Sequence, residues 1–525
     1  MATSPSRTYR AACPNCGAPV DFASAASASA VCSFCRSTLL RDGESLKRIG
    51  VQAELFDDHS PLQLQASGRY QGAAFTLVGR LQVRYQGGSW NEWHALFDNG
   101  KSGWLSEDNG RYVMAFDAPA PADAPALADL AVGEIRTVGG STWSVASVTQ
   151  AALHAAQGEL PGAPRPAGTA FAVADLRNER AEVATLDYGS TPPGWSVGRS
   201  VRLVDLGLSG LREDSEKTLS GRSLNCPSCG ASVEVKLAST QSVVCGQCDA
   251  VVQIAPDTGA ALSHYRQETG LPPQIPLGST GRLLLGDPLH GADTLPWQVV
   301  GYVERCEIPD DPEDERVFWR EYLLYHPREG FAFLVDAEDG WSWTAAITGA
   351  PQVRGDMAAW QGRQHTKLYS YTGQVTHVLG EFYWKVERGQ RTVNTDYESG
   401  DWRLNREQAG DEVTWSAGRT LSAQTVVQAF GLKPGQAPAL ARDATPFTSG
   451  SASGLKTVVV ILVVMLLVVL LMSRCGSDDC DGVRQTFGAN SSEYQQCQRN
   501  QRGSGGFRTG GGSFGGFSSG GGGHK

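Results

Sequence analysis

Eight of the twelve cysteines fall into two quartets with the same spacing. Cys13, Cys16, Cys32 and Cys35 form the first, and Cys226, Cys229, Cys245 and Cys248 the second; in each, two Cys-x-x-Cys pairs are separated by fifteen residues. Four thiolates suit a tetrahedral Zn²⁺, and the two-residue gap lets both sulfurs of a knuckle face the ion while backbone amides donate to them. Iron in a rubredoxin-like site is the rival for this donor set. Gly17 and Gly230, after each leading pair, permit the positive φ a tight knuckle needs. With all four positions filled by thiolates, neither site keeps a place for water or substrate, so two structural zinc ions are expected.

Other catalytic signals are missing from the folded part. The nine histidines do not cluster, and there is no His-Glu-x-x-His, Gly-x-Ser-x-Gly, Walker or Rossmann pattern. Cys306 has Arg305 beside it, but also Glu304, Glu307 and the acidic stretch 310–315, which do not favour a thiolate. The chain therefore reads as a non-enzyme. A net charge of −10 argues against phosphate-backbone binding, and the basic group Arg36, Arg41, Lys47 and Arg48 near the first quartet reads as a solvated face.

The elements that position the cysteines come in duplicate. Trp90-Asn91-Glu92-Trp93 recurs as Trp319-Arg320-Glu321-Tyr322, and Trp104-Leu105-Ser106-Glu107 as Phe333-Leu334-Val335-Asp336. Farther on, Gly139, Trp143 and Val145 pair with Gly380, Trp384 and Val386; Asp187-Tyr188 pairs with Asp396-Tyr397; and Trp195 to Arg199 pairs with Trp415 to Arg419. Order is kept while separation drifts, as loop insertions produce.

Each copy reads as β. Residues 75–85 alternate apolar and polar, 317–325 are rich in aromatics, and Asp98-Asn99-Gly100 and Asp108-Asn109-Gly110 signal hairpin turns. The expected fold is mainly β: two zinc ribbons, each followed by an antiparallel roll or open barrel. The ribbons fall at 8–45 and 221–258 and the β domains at 50–212 and 270–432, followed by a linker at 433–454, a transmembrane helix at 455–473 and a Gly/Ser-rich tail at 474–525. Trp93, Trp104, Trp143 and Trp195 are expected to fill cores.

Residues 458–472 are fifteen consecutive Val, Ile, Leu and Met. With short flanks they make a helix of about 28 Å, close to the hydrocarbon thickness, and insertion is worth on the order of −5 to −9 kcal/mol. The opening residues lack an apolar signal-peptide core, so the reading is a single-pass protein of the cytoplasmic membrane with its N-terminal domains cytoplasmic. The tail, with Cys475, Cys480 and Cys497, then lies outside, where a disulfide can form.

The Trp-x-Glu-Trp/Tyr motif, the later Gly-x-x-x-Trp-x-Val and Asp-Tyr, and the leading Cys-Pro-x-Cys-Gly together resemble an uncharacterised bacterial domain-of-unknown-function family, here in two copies over 8–432. The resemblance implies a membrane-associated bacterial protein, with relatives near membrane-stress proteins and polyamine-synthesising enzymes, and brings no catalytic residues. Two functions are expected from these features. One is a membrane-tethered, zinc-binding scaffold for protein partners at the cytoplasmic face. The other is a module for a small cation such as a polyamine, held by aromatics with Glu92 and Glu321.

Overall fold

A computed structural model of the chain describes residues 9–432, apart from 23–28, 43–44, 52–59, 87, 213–221, 236–239, 241, 255–260, 266–272, 286–293 and 310–315. The expected linker, the apolar run at 455–473 and the tail with Cys475, Cys480 and Cys497 lie outside the described residues. Among the described residues no helix is long and apolar enough to cross a membrane.

Each repeat is an eight-stranded antiparallel barrel, closed where the sequence suggested a roll or an open barrel. The first is built from β1 (Ala73–Tyr85), β2 (Gly88–Phe97), β3 (Ser102–Asp108), β4 (Arg111–Ala118), β5 (Ser141–Leu160), β6 (Ala170–Arg177), β7 (Glu182–Asp187) and β8 (Gly194–Val201). Two four-stranded meanders, β1 to β4 and β5 to β8, join along both edges, β1 to β5 and β4 to β8. The second repeat has the same connectivity in β9 (Thr294–Ile308), β10 (Phe318–His326), β11 (Gly330–Ala337), β12 (Gly340–Ile347), β13 (Arg363–Phe382), β14 (Arg391–Ser399), β15 (Trp402–Ala409) and β16 (Glu412–Leu421).

Closure depends on two strands of unusual length. β5 and β13 each run for 20 residues, pairing with β6 or β14 through their first part and with β1 or β9 through their second. A strand serving two neighbours must bend, and both carry a register shift, at Val145/Ser147 and at Lys367/Tyr369. Glycine permits the crossing with the first strand. Gly79 lies opposite Gly158, and a Cβ on Gly79 would fall 1.9 Å from the Glu159 carbonyl oxygen. Gly301 lies opposite Gly380, where a Cβ on Gly380, at φ +90°, would fall 2.4 Å from the Val300 oxygen.

These registers correct two of the expected repeat matches. Gly380 is the counterpart of Gly158 rather than of Gly139, so Trp143, at the start of β5, and Trp384, beyond the end of β13, are not equivalent. Asp396 lies on β14 opposite Asn405, as Asp175 lies on β6 opposite Thr185, so its counterpart is Asp175 rather than Asp187. Short sequence motifs matched across a variable spacing had slipped onto the wrong strand. The two tryptophan motifs on β2/β10 and β8/β16 keep the expected pairing.

The turn signals hold: Asn109 (φ 46°) and Gly110 (φ 78°) turn β3 into β4. That turn also meets the second barrel, where a Cβ on Gly110 would lie 2.3 Å from the Gly330 Cα. Nearby, the Ala350 amide donates to the Asn178 carbonyl at 3.0 Å. Trp93, Trp143 and Trp195 are buried in apolar clusters, while Trp104 is partly exposed. After β16 comes α1 (Ala423–Phe430), which the sequence reading had folded into the β domain. The Ser422 side chain caps it by accepting from the Thr425 amide, Val426 is buried, and Gly431 at φ 60° ends it.

Candidate functional site

The eight predicted ligands come together as two cages. Within each quartet all four sulfurs lie within 4.8 Å of one another. The Cys13–Cys35 and Cys16–Cys32 sulfurs are 3.7 Å apart, Cys226–Cys248 are 3.8 Å and Cys229–Cys245 are 3.6 Å. Those spacings are far beyond an S–S bond of about 2.05 Å. They fit the edge of a tetrahedron with metal–sulfur bonds of about 2.3 Å, which is about 3.8 Å. The donor set therefore fits a tetrahedral ion.

Each knuckle is locked by its own backbone. The amides of Gly17, Arg36, Gly230 and Asp249 donate to the carbonyls of Cys13, Cys32, Cys226 and Cys245 at 2.7–2.9 Å. All four residues have positive φ, from 54° to 77°, although only two are glycine. Thiolates are favoured on the trailing cysteines. The Ser37 hydroxyl, then the Asn15 side chain, lower the Cys35 thiol to about 5, and the Ala250 amide lowers Cys248 to about 7.

Both ribbons are joined to their barrels by β pairing. Ser29–Val31 continue the sheet at Gly158–Leu160 of β5, and Ser242 and Val243 pair with Phe382 and Glu381 at the end of β13. Ser29 Oγ donates to the Gly162 carbonyl at 2.7 Å, and Gln253 donates to Glu387 at 2.8 Å. Arg41, in the basic group near the first cage, lies over the Phe22 ring at 5.8 Å, and Arg48 donates to Asn15 at 3.1 Å. At least part of that basic group is structural.

Glu92 and Glu321 share one local contact and then differ. Trp90 Nε1 donates to Glu92 at 2.9 Å, and Trp319 Nε1 to Glu321 at 2.8 Å. The second oxygen of Glu92 accepts from Ser106 Oγ at 2.8 Å. That of Glu321 faces the guanidinium of Arg305 at 3.2 Å, and the same guanidinium meets Glu407 at 3.3 Å. All three members of this triad are at most 2 % exposed, so Glu321 already holds a cation from its own chain. Sequence reasoning noted Arg305 only as a neighbour of Cys306, whose buried thiol is raised by desolvation.

One guanidinium between two buried carboxylates leaves an imbalance. Desolvation raises both acids against the lowering effect of Arg305, taking Glu407 to about 7. The unfolded chain releases that proton near the ordinary glutamate value of about 4.3. Between the two values the folded state binds more protons, so this contribution to stability is full below the window and falls as pH rises through it. Denaturant midpoints followed from about pH 5 to about pH 7 should fall, and Glu407→Gln should flatten that slope. An equal slope in the variant contradicts the assignment.

Two cavities are formed elsewhere among the described residues. One, of about 590 Å³, lies between the barrels; its walls carry Arg111, Arg202, Arg328, Arg363 and Arg403 against two carboxylates, Asp205 and Glu329. Trp402 forms part of it, with Arg363 and Arg419 guanidinium carbons 5.0 and 4.5 Å from the ring centroid. The other, of about 250 Å³, lies in the first barrel and is lined by Glu92, Asp117, Asp175 and Asp187 with Trp90, Trp104 and Trp195.

Fold and cages together define a duplicated protein in which a four-cysteine ribbon is joined by β pairing to a closed eight-stranded barrel. The chain belongs to the family described as domain of unknown function (DUF4178), matched at residues 63–203 and 290–423, together just over half its length. Each match spans one barrel. Comparison with curated proteins and with solved structures gave no match.

Proposed function

We propose that this protein is a non-enzymatic adaptor in which two structural zinc ions order the ribbons and the paired barrels receive a protein partner beside a membrane. The zinc ions, bound by Cys13, Cys16, Cys32 and Cys35 and by Cys226, Cys229, Cys245 and Cys248, supply crosslinks rather than reactive coordination, because every donor is a thiolate. The apolar run at 455–473 supplies the tether, with the barrels on the cytoplasmic side.

The observation that carries the partner reading is the inter-barrel cleft. A chain of net charge −10 concentrates five arginines against two carboxylates there, beside the half-buried Trp402. Arginine and tryptophan are the residues that dominate protein–protein hot spots, and this local charge fits an acidic segment. Nucleic acid is the weaker fit, since the chain as a whole carries a net charge of −10.

A pull-down with the full chain from solubilised membranes should recover one reproducible partner. Arg202→Ala combined with Arg403→Ala should reduce that recovery at least tenfold, and added salt should weaken it. No reproducible partner, or recovery indifferent to both the substitutions and salt, would sink the adaptor reading.

A further inference from the structure

Superposing the strand registers of the two barrels converts the second into a guide to the first. Arg305 pairs with Trp319 as Val83 pairs with Trp90, so valine stands in the first barrel where the second has its buried arginine. By the same registers Glu321 corresponds to Glu92, Glu407 to Asp187, and Thr392, which accepts from Arg305 at 3.4 Å, to Phe171. The frame around them is preserved: Asn405 donates to Asp396 at 2.7 Å as Thr185 donates to Asp175 at 2.9 Å.

All four counterparts, Val83, Glu92, Phe171 and Asp187, line the cavity of about 250 Å³ in the first barrel. The space left by the shorter side chain at position 83 is therefore retained as a chamber with carboxylates on its walls. We propose that this chamber binds a small alkylguanidinium, whose head takes the place that the Arg305 guanidinium holds in the second barrel. The inference is independent of the inter-barrel cleft.

The walls suit that head group. Glu92, 6 % exposed, is fixed at the inner wall by Trp90 and Ser106, the former contact being the one that fixes Glu321 beside Arg305. Trp104 adds aromatic surface, which attracts a cation through the ring quadrupole. Asp187 lies nearer the mouth, about 30 % exposed, where Arg165 meets it at 2.8 Å and lies over Phe171 at 4.2 Å. Arg165, itself part of the cavity wall, holds both oxygens of this outer carboxylate, so the inner acid Glu92 is the one that the ligand's head group meets. The volume is just below the roughly 300 Å³ of the smallest drug-sized pockets, room for a head group and a short chain.

The test is calorimetry on the full chain with butylguanidinium, using neutral butylurea as the shape-matched control. Butylguanidinium should bind at one equivalent per chain, the second barrel being occupied by Arg305, and butylurea should give no heat. Glu92→Gln should weaken binding at least tenfold. Val83→Arg should abolish it while the protein still folds, because it installs the arrangement that the second barrel already accommodates.

Should Glu92→Gln fail to fold, Val83→Arg still decides. A third variant reads the equivalence from the other side: Arg305→Ala should lose thermal stability and regain part of it with methylguanidinium but not with urea at the same concentration. No heat from butylguanidinium, equal binding of butylurea, two equivalents bound, or binding unchanged in Val83→Arg would each overturn the proposal. So would a site that takes an arginine-bearing peptide but no small guanidinium.

Discussion

Cys245→Ser should remove one metal ion and unfold the second ribbon, leaving the first ribbon and first barrel intact. The ribbon's own buried cluster, Val233, Val235, Val243, Ala250, Val252 and Ile254 with Cys226 and Cys245, is too small to hold a fold unaided. Metal binding in such modules is worth about 10–16 kcal/mol in apparent terms, nearly all of it folding free energy. The loss should then spread a short distance. Ser242 and Val243 pair with Phe382 and Glu381, Ser242 Oγ accepts from the Val386 amide at 3.3 Å, and Val251 is part of the second barrel's core. Hydrogen exchange should show lost protection at 242–254 and at 381–387, with 158–160 protected as before. Chelation of the unmodified protein should expose both sets of segments. Protection unchanged at 242–254 after metal loss would mean that the ribbon does not depend on its ion.

Arg305→Met should be the most damaging single change inside a barrel, costing about 3–5 kcal/mol, because it strands two buried carboxylates. Glu321 and Glu407 are at most 1 % exposed and share that one guanidinium. The double variant Arg305→Met with Glu407→Gln should recover much of the loss, since only Glu321, still bonded to Trp319, then remains charged. Urea titration checks both. A single variant as stable as the parent would show that the triad is not what holds this part of the barrel. The first barrel makes the expectation sharper: it has Val83 at the same place, and its corresponding acid, Asp187, is paired with Arg165 instead.

The two cysteine quartets that could hold a metal were legible in the sequence because their assembly needs only local spacing: Cys-x-x-Cys makes a knuckle wherever it occurs, and two knuckles bring four sulfurs together. The Trp-x-Glu pairing on β2 and β10 was legible for the same reason, with residues two apart on one face of a strand. Barrel closure was not. It depends on β5 and β13 each bending to serve two neighbours, and the glycine pairs that allow this are 79 residues apart in both copies, Gly79 with Gly158 and Gly301 with Gly380. Without those pairings, motif similarity alone sets Gly380 against Gly139 and Asp396 against Asp187, whereas the registers set them against Gly158 and Asp175.

The buried triad was hidden by the same distance. Arg305, Glu321 and Glu407 are carried by β9, β10 and β15, and only β9 and β10 are sequence neighbours. The one signal available was the exchange of Val83 for Arg305 beside the matched tryptophan motifs, which becomes visible once the strand register is fixed. The small helix α1 had its own signal, Ser422 ahead of Ala423, but eight residues with one fully buried side chain give too short a pattern to stand out.

The measurement that bears most directly on this account is the metal content of the purified full chain, by elemental analysis with a parallel count of reactive thiols. Two equivalents of zinc per chain, falling to one in Cys245→Ser and in Cys32→Ser, is the predicted result. A chain that folds with far less than two equivalents, or that carries iron instead, would contradict it.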